Sequence, residues 1–296
     1  MSEDTVPLYA GCRAIEVEDS VQGARIPVRL LYPTRVAERR EPFGPFTLGL
    51  ALGAPVAGEA LPLVVISHGT GSTPWLHRDL AAHLARAGFV AALVQHPGNT
   101  RGDDGLAHTV VNLVNRPRHI RLVIDAAYAD DELGAHLARG RVGVVGHSLG
   151  GYTALAIAGG KPSSFPGESP DGTAGPVVVE HDARVRALVL LAPATAWFMG
   201  EGALADVAVP ILMRTGGKDA QAESLHGQIV ERGLRDPSRL DHQVVPDAGH
   251  FGFVSAYPRA LKSPAIPPSQ DPEGFDRAAY LPVLFGEIVA FLRAAQ

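Results

Sequence analysis

A chain of 296 residues, 46% hydrophobic and 19% charged, has the composition of a globular protein with a sizeable core. Its formal net charge of −5, without a dense cluster of lysine and arginine, argues against nucleic acid as a partner. Cys12 is the single cysteine, so an internal disulfide is excluded.

The N-terminal part predicts antiparallel strands. Residues 12–18 and 26–32 are β-prone runs joined by a polar segment that contains glycine, which is typical of a hairpin. Pro33 ends it. Residues 34–45, rich in proline and charge, are predicted as a loop, and residues 46–52 as an edge strand.

From residue 63 onward the pattern changes. Residues 63–67 form a continuous apolar run, which indicates a strand buried on both faces of a sheet. A helix follows, with Ser72 or Thr73 as its cap and Gly88 as its stop, and residues 89–94 form the next buried strand.

The rest of the chain continues this alternation. Asn115 and Pro117 are predicted to open the next helix. Further strands are predicted at 141–145, 185–191, 209–214 and 241–245, and helices at 151–158, 220–232 and 278–295. The pattern predicts one α/β domain over residues 1–296, built on a single doubly wound, mainly parallel sheet with an N-terminal antiparallel hairpin. Loop-rich insertions are expected over the cleft near 161–180, 195–206 and 251–272.

Residues 146–150 read Gly-His-Ser-Leu-Gly, a G-x-S-x-G pattern at a predicted strand-to-helix turn. Gly146 and Gly150 allow a sharp turn, which leaves Ser148 on a strained, exposed corner. The N–H groups of the following helix suit an oxygen that becomes negative during acyl transfer. The pattern indicates a nucleophile; the alternative is that Ser148 only caps the helix.

A serine nucleophile needs a base, and the base needs an acid to orient it. His250 follows the last predicted strand, and Asp219 follows the strand before it, so Ser148, Asp219 and His250 occur in the order expected for this type of triad. Asp247 is the alternative acid. Only three residues separate it from His250, so it would need an awkward local turn, and we interpret it as a loop cap.

Two backbone N–H groups are needed to stabilise the developing oxyanion. The residue after the nucleophile, Leu149, is expected to supply one. Thr70 is expected to supply the other, because Gly69 and Gly71 let the loop after the first buried strand curve inward. His68, in the same loop, is interpreted as a hydrogen-bonded support rather than a proton carrier.

The chain resembles the α/β-hydrolases, and more narrowly the bacterial predicted dienelactone hydrolases, relatives of platelet-activating-factor acetylhydrolase. The stretches that carry the resemblance are LVVISHGTGS, FVAALVQHPGN, RVGVVGHSLGGYTA, VPILMRTGGKD and PDAGHFGF. Two departures matter. True dienelactone hydrolases use cysteine where this chain has Ser148. In the acetylhydrolase the acid follows the strand that comes after the helix behind the nucleophile. The similar segment of this chain, residues 191–197, holds no carboxylate, so the resemblance leaves Asp219 as the acid.

These features predict a serine hydrolase that cleaves small to medium carboxylic esters or lactones through an acyl-enzyme. The alternatives are an acyltransferase that uses the same acyl-enzyme and a non-catalytic ligand receptor on this fold. Ordinary core packing is an equal alternative for the aromatic residues among the candidate substrate contacts. The candidate substrate contacts are His96, Trp197, Phe198, Phe251 and Phe253.

No cofactor is expected. The twelve histidines include no pair with the helical spacing and supporting carboxylate of a zinc site, so no metal is predicted. The acidic start of the chain lacks the apolar core of a secretory signal, and no 18 consecutive residues are apolar. We therefore expect a cytoplasmic protein whose partner is a small ester or lactone, without a membrane span.

Overall fold

In the computed structural model, which describes residues 7–295, ten strands form one sheet. In chain order they are β1 (Tyr9–Asp19), β2 (Ala24–Thr34), β3 (Arg39–Phe43), β4 (Phe46–Leu52), β5 (Leu61–Ser67), β6 (Val90–Val94), β7 (Leu137–His147), β8 (Val185–Leu191), β9 (Ile211–Gly216) and β10 (Leu240–Val245). The α-helices are α1 (Arg78–Arg86), α2 (Val110–Ala129), α3 (Leu149–Ile157), α4 (Ser224–Gly233) and α5 (Arg277–Ala295).

The sheet order is β10-β9-β8-β7-β5-β6-β2-β1-β4-β3. The strands from β5 to β10 pair in parallel with one another. The β1–β2 hairpin joins this set through an antiparallel pairing of β2 with β6. The prediction of a mainly parallel α/β sheet with an N-terminal antiparallel hairpin is therefore confirmed.

Helices cover both faces of the sheet, as the continuous apolar strands require. Along β5 the side chains alternate between two apolar clusters. Leu63 and Val65 join the cluster that contains residues of α2, α3 and α4. Val64 and Ile66 join the cluster that contains residues of α1 and α5. Because every parallel strand points the same way, the loops that carry the candidate site residues meet at one edge of the sheet.

Helix α2 begins earlier than the sequence predicts. Thr109 caps it, since its hydroxyl accepts a hydrogen bond from the N–H of Asn112 at 3.2 Å. Pro117 lies inside the helix instead of opening it. Proline donates no hydrogen bond to the carbonyl four residues earlier. That carbonyl, of Leu113, accepts from the hydroxyl of Tyr152 at 3.0 Å, so a side chain of α3 supplies the missing donor.

The predicted loop over residues 34–45 is wrong in part. Its second half contains β3, which pairs antiparallel with β4. Strand β4 forms where the sequence predicts an edge strand, but it does not lie at the edge, because it pairs with β3 on one side and, through residues near its end, in parallel with β1 on the other. The N-terminal strands therefore extend the sheet by four strands beyond β6.

Of the described helices, α5 alone is long and apolar enough to cross a membrane by length and composition. Its row of buried side chains packs in the same cluster as α1 and one face of the sheet. The buried apolar side chains of this row are Leu281, Leu284, Phe285, Ile288, Val289 and Leu292.

Candidate active site

Ser148 lies between the last residue of β7 and the first residue of α3. Its φ of 54° and ψ of −121° are sparsely populated for a residue with a side chain. Glycine on either side makes this turn feasible. A Cβ on Gly146 would lie 2.1 Å from the carbonyl oxygen of Gly150, and one on Gly150 would lie 2.0 Å from that of Ser67. The strand and the helix therefore approach each other as only glycine allows.

His250 and Asp219 meet at the same edge of the sheet. The Nδ1 of His250 donates to the Oδ2 of Asp219 at 2.8 Å, and both side chains are buried. Asp219 follows β9, and His250 begins a 3₁₀ turn in the loop after β10. With Nδ1 protonated, the lone pair of the imidazole is on Nε2, where a general base needs it.

Asp219 is held on its other side by backbone. Its Oδ1 accepts from the N–H groups of Gln221 and Ala222, both at 2.8 Å. Burial raises the pKa of Asp219, but the hydrogen bonds from His250 and from these backbone groups outweigh it and keep the pKa below its ordinary value. The carboxylate is therefore charged and fixed beside the imidazole.

The loop that carries His250 is attached to the strand-to-helix turn at Ser148 through His147, the residue before Ser148. The Nε2–H of His147 donates to the carbonyl oxygen of His250 at 2.9 Å, and the two imidazole centres are 4.9 Å apart. Burial lowers the pKa of His147 to about 3, and the neighbouring His250 adds to the effect. His147 is thus a neutral support for the loop at neutral pH.

Ser148 faces a cleft with a volume of about 90 Å³. Thr70 and Leu149 line it beside Ser148. Leu149 is the first residue of α3, so its N–H has no acceptor within the helix. The cleft therefore brings the candidate nucleophile together with both residues expected to donate to an oxyanion. The remaining lining residues are His108, Thr109, Asn112, Leu113, Glu168, Ala194 and Trp197.

A fully buried arginine supports the loops beneath this cleft. The guanidinium of Arg116 donates to Asn99 Oδ1 at 2.7 Å, to the hydroxyls of Ser67 and Thr153 at 3.1 Å, and to the carbonyl oxygen of His68. Asn99 in turn donates to the Thr70 hydroxyl at 2.9 Å. Burial lowers the pKa of Arg116 to about 9, so it stays charged at neutral pH. Arg116 thereby fixes the loop that contains Thr70.

His68 and His96 lie inside the protein. The Nδ1–H of His68 donates to the carbonyl oxygen of Gly69 at 2.7 Å, as expected for a support of the loop. His96 is fully buried and hydrogen-bonds to the Ser67 hydroxyl at 2.9 Å and to His119 at 3.1 Å. The prediction that His96 contacts substrate is wrong, because its imidazole points under the loops instead of into the cleft.

The four candidate aromatic contacts divide into two pairs. Trp197 lines the cleft with Ser148, and the ring of Phe251 stands edge-on to His250 with 5.1 Å between centres. Phe198 is buried and stacks on Tyr152 at 5.5 Å, and Phe253 is buried in the cluster that contains α5. The structure thus corrects the prediction for Phe198 and Phe253, which contribute to core packing.

The alternative acid, Asp247, lies at the surface. Its carboxylate pairs with the ammonium group of Lys218 at 2.8 Å, and about half of its side chain is exposed. The Nδ1 of His250 is already hydrogen-bonded to Asp219, so Asp247 is not in its place.

Among residues 7–295, no group of three or more His, Cys, Asp or Glu side chains is arranged to hold a metal ion.

A larger cavity, of about 370 Å³, is also lined in part by the loop after β5. Thr73 lines this cavity, whereas Thr70 lines the cleft at Ser148. Its wall is aromatic, with Phe46, Trp75 and Tyr257, and Arg101 stands at its edge. Ser148 does not line this cavity, so the smaller cleft is the candidate reaction site.

Arg116, Asn99 and Glu168 are not among the residues that the sequence predicts for the site. Arg116 could have been noticed because it is a charged residue on the apolar face of a predicted helix. Asn99 follows a predicted strand end, where polar residues of such sheets gather. Glu168 lies in the irregular segment between α3 and β8, predicted as an insertion, where periodicity carries no information about position.

No family model matches this chain, and no curated protein matches its sequence. Solved structures do match. A ferulic acid esterase from Streptomyces cinnamoneus is 19% identical with a TM-score of 0.67, covering 100% of this chain and 92% of the esterase. A dienelactone hydrolase from Anabaena variabilis ATCC 29413 is 18% identical with a TM-score of 0.56, covering 97% and 99% respectively. The matched architecture is that of the α/β-hydrolase fold.

Proposed function

We propose that the protein is a serine hydrolase that cleaves small to medium carboxylic esters or lactones through an acyl-enzyme intermediate. The observation that carries the proposal is the buried hydrogen bond from His250 to Asp219, in a loop attached to the strained turn that carries Ser148. Strain of this kind persists where the surrounding structure supports it, and it gathers at functional sites.

In the proposed reaction, the Ser148 hydroxyl attacks the ester carbonyl while Nε2 of His250 takes its proton. The carbonyl oxygen becomes negative, and the N–H groups of Thr70 and Leu149 donate to it. Collapse of this intermediate breaks the ester bond, and the imidazolium returns the proton to the leaving alcohol. Water then repeats the sequence on the acyl-enzyme and releases the acid. Asp219 holds the imidazole in the required tautomer and stabilises its charged form.

Cleft size supports the substrate range. A volume of about 90 Å³ beside Ser148 is below the range of about 300–1,000 Å³ that is common for drug-sized ligands. The roof segment Pro166–Glu168 is a short 3₁₀ turn in a stretch rich in proline, which limits its conformations. The ester- and lactone-cleaving names of the two structural neighbours agree with this substrate class.

The test combines covalent labelling with turnover. A fluorophosphonate is expected to label the wild-type protein and the control Ser238→Ala, which changes an exposed serine in the turn before β10. Ser148→Ala should not be labelled. Ser148→Ala and His250→Ala should each lower kcat for p-nitrophenyl acetate by several powers of ten, and the double variant should lose little more, because the residues act as a unit. An unlabelled wild-type protein without esterase activity would refute the proposal and favour a ligand receptor. Preferential transfer of the acyl group to an added alcohol would favour the acyltransferase.

A further inference from the structure

Glu168 places a fixed carboxylate in the wall of the Ser148 cleft. It lies in the irregular insertion, and both of its oxygens accept from the indole Nε1–H of Trp197, at 3.0 and 2.9 Å. Its Oε2 also accepts from the backbone N–H of Phe165 at 2.8 Å. Two donors from different segments therefore hold the carboxylate in one orientation, so it is a preformed part of the cleft.

This carboxylate retains capacity for another donor. Each carboxylate oxygen offers about two acceptor sites, and Oε1 receives only the indole N–H in the described chain. Its surroundings in the cleft include Leu113, Ala194 and Trp197. Apolar walls of this kind strengthen a charge interaction relative to one in open water.

The other residues that line the cleft do not balance this charge. Glu168 is the only carboxylate among them, the lining includes neither lysine nor arginine, and its one imidazole is that of His108. Trp197 also offers an aromatic ring beside the carboxylate, and cations are attracted to the faces of such rings. An acid and an indole together form a surface that favours an ammonium group and repels a second carboxylate.

We propose that Glu168 makes the cleft selective for esters whose bound chain carries an ammonium group, and against esters whose chain carries a carboxylate. The inference rests on the proposed ester hydrolysis at Ser148 and specifies its substrate class. The competing explanation is that Glu168 only fastens the insertion to Trp197. Its charge, rather than its hydrogen bonds, separates the two explanations.

Glu168→Gln makes this separation. Oε2 accepts from Trp197 as well as from Phe165, so an amide oxygen at that position keeps one hydrogen bond from each donor while the charge is removed. Glu201→Gln is the matched control, since it removes the same charge from an exposed residue that does not line the cleft.

Three p-nitrophenyl esters with chains of nearly equal length serve as probes: the 3-aminopropanoate, the butanoate and the hemisuccinate. In the wild-type protein and in Glu201→Gln, kcat/KM is expected to be about tenfold higher for the ammonium ester than for the butanoate, and lowest for the hemisuccinate. In Glu168→Gln the ratio of ammonium ester to butanoate should fall to near one. Using this ratio cancels any general loss of activity in the variant.

Acetylcholine and its uncharged analogue 3,3-dimethylbutyl acetate carry the same contrast on the alcohol side. A preference in either the acyl series or this pair, lost in Glu168→Gln, supports the inference and assigns the cleft to that side of the ester. A wild-type protein without preference in both series, or a preference unchanged in Glu168→Gln, overturns it. Absence of turnover on every ester, together with absence of fluorophosphonate labelling, would instead refute the proposed function.

Discussion

Replacing Asp219 by asparagine tests the site most directly, because the structure determines which way the new amide must point. Oδ1 of Asp219 accepts from two backbone N–H groups, of Gln221 and Ala222. An asparagine that keeps these bonds must place its oxygen there and turn its NH₂ group toward His250. The Nδ1 of His250 must then accept instead of donate, so the ring proton moves to Nε2. In that tautomer the imidazole cannot take the proton of Ser148.

The opposite orientation of the amide is costly. It would set the NH₂ group against two backbone donors and leave both without an acceptor, at about 1–3 kcal/mol each. The total of about 2–6 kcal/mol corresponds to a productive fraction reduced by about 30-fold to 10⁴-fold. We therefore expect kcat for p-nitrophenyl butyrate to fall by about 10²- to 10⁴-fold in Asp219→Asn, with a smaller change in KM.

The assay is steady-state hydrolysis at neutral pH, combined with thermal unfolding to verify that the variant is folded. Asp247→Asn is the matched control, since it makes the same change in the neighbouring loop on a side chain that pairs with Lys218 at the surface. It should keep wild-type activity. A folded Asp219→Asn with kcat within tenfold of the wild type would refute the tautomer argument. Loss of activity in Asp247→Asn alone would transfer the role of acid to that residue.

Three further predictions concern the support of the site, the acid stability of the fold and the substrate range. Arg116→Met leaves Asn99 Oδ1 and the His68 carbonyl oxygen without the guanidinium donor. The free energy of unfolding should fall by about 2 kcal/mol, because removal of the buried charge compensates in part for the lost hydrogen bonds. Esterase kcat should fall more than about tenfold. Urea unfolding and turnover measure both, and unchanged kcat would contradict the supporting role. The pKa of His77 lies well below its ordinary 6.5 because the side chain is buried. On acidification, His77 therefore takes up a proton in the unfolded chain but not in the folded protein. The folded state loses stability as the pH falls below about 6.5. His77→Phe removes this uptake and should therefore lose about 2 kcal/mol less than the wild type between pH 8 and pH 5; an equal loss in both proteins would be the contrary result. Across acetyl, butyryl, octanoyl and palmitoyl esters, kcat/KM should be highest for the short chains, without a jump at the onset of emulsion; an optimum at palmitoyl would indicate a mobile lid.

The parallel strands could be predicted because their apolar runs are local and continuous. Strand β3 could not, since Arg-Arg-Glu-Pro-Phe lacks the composition of a strand and forms one only through its pairing with β4. The start of α2 was missed for a related reason. Proline is common in the first turn of a helix. Here Pro117 is tolerated inside the helix because the hydroxyl of Tyr152, far along the chain, donates to the carbonyl that Pro117 leaves free.

The candidate site divides in the same way. Ser148, Asp219 and His250 could be selected because chain order and strand ends are properties of the sequence, and the structure brings Asp219 and His250 into contact. Side-chain direction is not such a property. His96 follows a strand end as His250 does, yet its ring points inward to Ser67. Burial of a charge depends equally on distant partners, which is why Arg116 was missed.

Strand β3 has a consequence for the behaviour of the protein in concentrated solution. It is the last strand on its side of the sheet, and one of its edges has no neighbouring strand in the described chain. Bare strand edges recruit strands of other molecules, and charged side chains and proline oppose this. Arg39, Arg40 and Pro42 are all exposed along β3. The residues that give this segment the composition of a loop are thus also residues that oppose the addition of a further strand at this edge.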